Sequence, residues 1–456
     1  MSNDTSTLTV LRRGQTGYEE ARVNAIWNGK KPARYPEAIA LARDEHAVVE
    51  AVQLARRNDW TIGIRSGGHA WSANAVRDGG LLLDLSALDS IEVEVDARIA
   101  RVGPGARSQV FQRVLGESGL YFPTGTCPTV GLGGYVIGGG ASFTAGMDGP
   151  ACYMLVAIDV VTADGELVHA TDATHPELMW AARGSGPGFF AAVTRMHLEL
   201  KPVPASMQWS LYIYPGEVLD DFLEWNVPLT RACPENVANF WATVGSPFPH
   251  YQGTIIAVFP IAFGDSLEET TALLDPFERS PVREHALVHQ PPSAWTWDAG
   301  YAQVNQLYPE GFRYRADALW VRAEDDGFVG PLKETIRSLP TAHSHVLWAP
   351  WKAREHPNAA YSLHSPLSVH VYGVGENESQ DGPLDAWVTG AMRSLEPHSI
   401  RGGKINDHDL QSFPKYVLAP DETERLKALK AKHDPNEVFH TYLGTPEPSP
   451  IVPGQP

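Results

Sequence analysis

"GTCPTVGLGGYVIGGG", Gly125 to Gly140, is the stretch on which the reading of this chain turns. Between Tyr121 and Gly149, nine of 29 positions are glycine. No helix or strand interior tolerates that density without a packing reason. Glycine lacks a Cβ, so backbone in such a tract can approach something flat or charged. Two phosphate-binding patterns fail here. From Gly131 the sixth position is Val136, and from Gly133 the third is Tyr135, so G-x-G-x-x-G is not satisfied; G-x-x-x-x-G-K-[ST] is absent as well. A second glycine pair, Gly67-Gly68, precedes His69 in "IRSGGHAWSANAV", and His69 lies 58 residues before Cys127. An imidazole and a thiol, each beside a loop that lets backbone approach a partner, suggest a large, flat, phosphorylated cofactor held by both loops. FAD fits that description.

The composition agrees with a small-molecule protein. The chain has 456 residues, enough for two or three domains. Its 36 Lys plus Arg against 54 Asp plus Glu give a formal charge of −18. That balance disfavours nucleic acid and anionic membranes. The start lacks the apolar run of a secretory signal and no uncharged stretch has spanning length, so a cytoplasmic location is expected. Cys127, Cys152 and Cys233 are too few and too scattered for a disulfide scaffold or a zinc site, and no metal is expected.

Hydrophobic periodicity gives the organisation. "DEHAVVEAVQLARRNDW" carries Ala47, Val48, Ala51, Val52 and Ala55 at helical spacing and is followed by the strand "TIGIRS". "GLLLDLSAL" and "SIEVEVDARIARVGPG" read as strands, the second alternating at Ile91, Val93 and Val95. A helix at "SQVFQRVLGESG" takes Ser108 as its N-cap and Gly119 as its stop. "MLVAIDVVTADGELVHA" reads as two strands joined at Asp164-Gly165, "HPELMWAARG" as a helix and "AAVTRMHLELK" as a strand. Past Pro204 the texture becomes aromatic, with strands such as "WSLYIYP", "GTIIAVFP" and "LSVHVYGV" among helices. Near the end, "PDETERLKALKAKHDPNEVF" offers a capping box of Asp421 and Glu424, with Leu426 and Leu429 on one face.

Five stretches, "RSGGH" (Arg65–His69), "GTCPTVGLGGYVIGGG", "DVVTADGELV" (Asp159–Val168), "PELMWAARGSGPGFFAAVT" (Pro176–Thr194) and "LKALKAKHDPNEVF" (Leu426–Phe439), together resemble the berberine-bridge-enzyme-like branch of the vanillyl-alcohol oxidase flavoproteins. They cover the first 200 residues and the last 50. The resemblance implies an α+β fold: a two-subdomain FAD-binding domain over 1–204, a substrate domain over 205–400 with a large antiparallel sheet covered by helices, and a segment 401–456 returning to the first domain. It implies FAD bonded covalently to His69 through the flavin 8-methyl carbon and to Cys127 through ring carbon 6. Tethering stops cofactor loss and raises the flavin potential. Further cofactor contacts fall on Arg65, Ser66, Gly67 and Gly68 of the first loop, on Gly125, Thr126, Thr129, Gly131, Gly134, Gly138, Gly139 and Gly140 of the second, and on Val193. Val130 is associated in the family with oxygen access, which implies an oxidase that releases hydrogen peroxide. Cys152 and Cys233 are expected to be core residues.

The chain departs from the family at "GPACYM" (Gly149–Met154), at "GPGFFAAVT" and at "KINDHDL" (Lys404–Leu410). In the last of these, plant relatives carry N-Y-x-D-x-D and use the Tyr as a base. Ungapped matching puts Asp407 in that place, with His408 as a second candidate base. Asp407 and Asp409 read equally well as turn-capping groups. Tyr135 either faces the flavin ring or packs as an apolar body in a tight loop. "SAWTWDAGYAQVNQLYPEGFRYRADALW" is read mostly as core; an aromatic wall above the flavin suits a planar or extended organic substrate. The favoured activity is oxidation of a CH–OH or CH–NH carbon, or oxidative ring closure, by a monomer or homodimer with oxygen as acceptor. The alternatives are an oxygenating flavoenzyme acting on a polyketide-type intermediate and a flavin-less binding protein that kept the fold.

Overall fold

The computed structural model describes residues 7–322, 324–351, 354–407 and 415–441. The expected αβ unit near the N-terminus forms as helix Glu45–Arg57 and strand Ile62–Arg65. Asp44 caps the helix, its carboxylate accepting from the Ala47 amide at 2.8 Å, and all five apolar positions are buried. The strand joins a four-stranded sheet with Leu8–Arg12, Ala38–Ala42 and Leu81–Asp84. Leu8–Arg12 pairs antiparallel with Ala38–Ala42, and the other two pairs of the sheet are parallel. The chain's end returns to this sheet: the Ile62 amide donates to the Val438 carbonyl at 2.7 Å, and the His440 amide donates to the Ile62 carbonyl at 2.9 Å.

A five-stranded antiparallel sheet follows, ordered Ile91–Glu94, Ile99–Val102, Ala192–Glu199, Leu155–Val161, Leu167–Thr171. The run read as one alternating strand through Val95 is instead a hairpin. Its turn falls at Val95–Arg98, with Val95 exposed and Arg98 at φ 53°. Two helix caps also differ from expectation. Arg107, not Ser108, occupies the N-cap of helix Ser108–Gly116, and the Ser108 hydroxyl donates to the Val130 carbonyl at 3.3 Å. Helix Pro420–His433 starts on Pro420, which needs no amide partner there, so Asp421 and Glu424 lie within the helix and form no capping box. Leu426 and Leu429 are buried as the pattern requires.

A third sheet of seven antiparallel strands is built from residues 206–375. Side-chain alternation gives it two distinct faces. Along Leu367–Gly375, Val369 and Val371 enter a core shared with the helices Leu219–Ala232, Val329–Arg337 and Asp381–Leu395. His370 and Tyr372 point the other way, towards the glycine-rich loops. In the same fashion Trp241 and Trp348 serve the helical side, while Phe240 and Leu347 serve the opposite one. Among the described residues no helix is long and apolar enough to cross a membrane.

The glycine tract has identifiable packing reasons. A Cβ on Gly67 would sit 2.3 Å from the Gly131 amide nitrogen, and one on Gly131 would sit 2.6 Å from the Gly67 nitrogen. The two loops therefore cross backbone to backbone. Gly67→Ala should cost about 1–3 kcal/mol through overpacking, read as a fall in Tm. Gly116→Ala, where a Cβ meets nothing within 4 Å, should be neutral or stabilising by up to about 1 kcal/mol. Equal Tm values for the two variants would contradict the crossing.

Candidate functional site

A cavity of about 350 Å³ lies between the crossed loops and the inner face of the seven-stranded sheet. Arg65, Ser66, Gly67, Gly68 and His69 all line it, and so do Gly125, Thr126, Cys127, Val130, Gly131, Gly134, Tyr135 and Val193. Thr129 and Gly138 to Gly140 do not form its wall. Gly138 makes room for the Asn406 carboxamide, whose oxygen lies 2.0 Å from where a Cβ would be, and Gly139 makes room for the Tyr361 ring. These glycines pack the second loop onto other parts of the chain.

The first loop leaves strand Ile62–Arg65 under strong constraint. The Arg65 guanidinium pairs with Asp84 at 2.8 Å, the Ser66 hydroxyl accepts from the Gly134 amide at 3.2 Å, and the Gly68 carbonyl accepts from the Trp27 amide at 2.9 Å. His69 then stacks on Trp27, with ring centroids 4.9 Å apart and planes 21° apart. Its Nε2 lies 3.0 Å from the Thr129 hydroxyl. Burial, reinforced by the Arg65 and Arg107 charges, pushes the His69 pKa down to about 3. The imidazole is therefore neutral at physiological pH. Nε2 is engaged by the Thr129 hydroxyl, which leaves Nδ1 as the other ring nitrogen.

Cys127 is half-buried and has no disulfide. Burial and the nearby Asp407 carboxylate push its thiol up to about 12, so it rests protonated. Cys152 and Cys233 are buried and take their places in two separate cores. Tyr135 is buried, its hydroxyl donating to the Pro123 carbonyl at 2.7 Å. Its ring fills the space beside Gly125 and Gly140.

Asp407 projects into the cavity from the segment that follows Lys404. Its carboxylate accepts from the Trp71 indole N–H at 3.2 Å and lies 3.3 Å from the Lys404 ammonium. Burial pushes this carboxyl up, but the Lys404 charge and the indole hydrogen bond outweigh it, so Asp407 titrates below the usual carboxylate range. His370 Nδ1 stands 3.7 Å from Asp407 Oδ2. Burial, then Lys404, pushes that imidazole down to about 3, so it is neutral and Lys404 supplies the positive charge. The Ser368 hydroxyl donates to the Ala349 carbonyl at 3.2 Å and lies 2.8 Å from His370 Nε2. If the hydroxyl accepts Nε2–H, the Nδ1 lone pair faces Asp407. His408 lies outside the described residues.

Three of these residues escaped the sequence reading. Trp71 sits two positions beyond His69, and Lys404 opens the segment that carries Asp407. His370 carried the one legible signal, an imidazole inside the strand-like run "LSVHVYGV". The aromatic stretch 293–320 proved mainly structural: Trp295, Trp297, Tyr301, Tyr314 and Trp320 are buried away from the cavity, and Tyr308 lines it beside Tyr372, Phe240 and Phe259.

The wall also fits a phosphate-bearing ligand. It combines backbone at Gly67, Gly68, Gly131 and Gly134 with two buried nitrogens, Arg65 Nε and His440 Nε2, that have no hydrogen-bond partner among the described residues. A family model described as an FAD binding domain matches residues 36–171. The FAD-linked oxidoreductase penO of Penicillium crustosum is 30% identical over 436 residues, which cover 94% of this chain and 95% of that one. Two solved structures share the fold. 6-hydroxy-D-nicotine oxidase from Arthrobacter nicotinovorans superposes with a TM-score of 0.83 at 20% identity, over 98% of this chain and 100% of that one. The Physcomitrella patens protein BBE-like 1 gives 0.82 at 19% identity, over 96% of this chain and 97% of that one. The two crossed glycine loops and the aromatic-lined cavity accord with these likenesses, and the chain is an enzyme that belongs to the family of FAD-linked oxidoreductases.

Proposed function

We propose that the chain is a flavin-dependent oxidase that holds FAD covalently through His69 and Cys127 and oxidises a C–OH or C–N carbon of an aromatic or extended organic substrate. The observation that carries this reading is that His69, Cys127 and Asp407 line one cavity beneath an aromatic sheet face. Bound FAD would accept two electrons from the substrate carbon and pass them to molecular oxygen, giving hydrogen peroxide. The chain's own residues do the rest. Neutral His69 offers Nδ1 as a nucleophile, while Trp27 and Thr129 fix its ring. The Cys127 thiol must lose a proton before it can bond, and Asp407 is the carboxylate near enough to raise its pKa.

With substrate bound, Asp407 accepts the proton of the hydroxyl or amine. The Lys404 ammonium and the Trp71 indole keep it ionised for that task. Tyr308, Tyr372, Phe240 and Phe259 exclude water and set the plane of a flat substrate. Val130, a small side chain on the cavity wall, leaves room for oxygen.

Intact mass and peptide mapping of the purified protein test the tethers. Flavin should remain with the acid-precipitated chain, His69→Ala and Cys127→Ala should each lose one linkage, and the double variant should lose both. A colourless chain with bare polypeptide mass would sink the proposal. Against a panel of hydroxylated aromatics and amines, substrate loss should match peroxide formed; labelled oxygen in the organic product would mark an oxygenating enzyme instead.

The base has its own test. Asp407→Asn should lower kcat/KM by about 10²–10⁴ while the flavin spectrum persists. The group works ionised and its pKa is lowered, so activity should be lost only as pH falls through that lowered value. Trp71→Phe removes a hydrogen bond to the charged form, so the acidic limb of kcat/KM should move to higher pH. An unmoved limb would exclude Asp407 as the titrating base.

A further inference from the structure

Away from the cavity, three adjacent strands of the five-stranded sheet bring together two imidazoles and a carboxylate. Along these strands, Ile158, Val160, Ala170, Met196 and Leu198 point into the main core. Asp159, His169 and His197 alternate with them and so stand on the opposite face. Backbone pairing fixes their placement: His169 is directly across from Asp159 on one side, and on the other Arg195 is across from Asp159, which puts His197 one diagonal step away. His169 Nδ1 lies 2.5 Å from Asp159 Oδ1, and His197 Nε2 lies 3.1 Å from Asp159 Oδ2. The two imidazoles meet edge to face with centroids 5.2 Å apart.

We propose that Asp159, His169 and His197 form a binding site for a divalent transition-metal ion of the zinc class, distinct from the flavin cavity. One ligand atom from each residue lies within 4.8 Å of the others. Two atoms bound to the same zinc ion at about 2.1 Å are at most about 4.2 Å apart, so side-chain rotation alone closes the site. Two nitrogens and one carboxylate oxygen suit zinc, copper or nickel better than magnesium or calcium. The three ligands stand on hydrogen-bonded strands, so little backbone entropy is lost when they converge. Asp159 and His197 are largely buried, with side chains 18% and 15% exposed, while His169 is 55% exposed. The site thus has a rigid floor and an open side that admits the ion with its remaining waters.

The charge of the site also favours a cation. Asp159 is the acidic group of the three, and its carboxylate oxygens attract a cation. Of the basic groups on neighbouring strands, Arg101, paired across from His197, is engaged by Glu94 at 2.6 Å, and Arg195 makes no ion pair with Asp159 among the described residues. No local sequence motif announces the site, because its ligands come from three strands and meet only through sheet register.

The test uses the full-length flavin-loaded protein, stripped with chelator, desalted, and titrated with Zn²⁺ by calorimetry near pH 7.5. One Zn²⁺ should bind per chain, with a zinc-edge absorption spectrum that shows two imidazoles in the first shell. His169→Ala, at an exposed position, should weaken this binding at least about tenfold, a loss no smaller than that for removing an outer-shell partner. His197→Ala should do the same. The visible flavin spectrum should be unchanged in both variants, which shows that they fold. No stoichiometric binding, or equal affinity in His169→Ala, would overturn the site; it would leave the oxidase reading untouched, since no ligand of the proposed ion touches the cavity.

Discussion

The structure depends on one close approach, the crossing of Gly67 over Gly131. Each glycine occupies the place where the other's side chain would have to go, so neither loop can move without the other. His69 follows one of them by two residues, and Cys127 precedes the other by four. The crossing therefore sets the separation of the imidazole and the thiol. Packing of backbone on backbone leaves almost no side-chain freedom to absorb error. That rigidity suits the tethering proposed for His69 and Cys127.

A second coupling runs through the loop that carries His69. Trp71, two residues further on, donates its indole N–H to Asp407. Trp27, which stacks on His69, also meets Trp71 edge to face with centroids 5.8 Å apart. One loop thus positions both the proposed tether and the proposed base, although they come from opposite ends of the chain. The electrostatics point the same way. Burial would neutralise Asp407, and it stays ionised because an ammonium and an indole N–H face it. Burial does neutralise His69 and His370, which have no carboxylate hydrogen bond to oppose it.

What the sequence contained about the site was mostly its backbone. The Gly67-Gly68 pair, the tract Gly125–Gly140 and the residues beside them could be found because glycine clustering is a local signal. The helices and strands of the first 200 residues followed from apolar periodicity, and the errors fell where side chains compete for backbone groups. Ser108 was expected at a cap and instead donates to Val130, and Pro420 displaced the expected capping box. The first outcome depends on a neighbour 22 residues away, whereas the second was written beside the helix in Pro420.

The sequence by itself determined the flavoprotein fold, the two backbone-approach loops and the imidazole and thiol they carry, because each is written in residues adjacent along the chain. Only the tertiary structure decided which polar groups face the cavity. Trp71, His370, Lys404 and Asp407 lie up to 336 residues apart and meet because sheet alternation turns His370 inward and a returning segment brings Asp407 to the first loop. Tertiary folding also set the charge states of His370 and Asp407, since burial and the partners present at the end of folding fix a pKa, and neither exists in the unfolded chain.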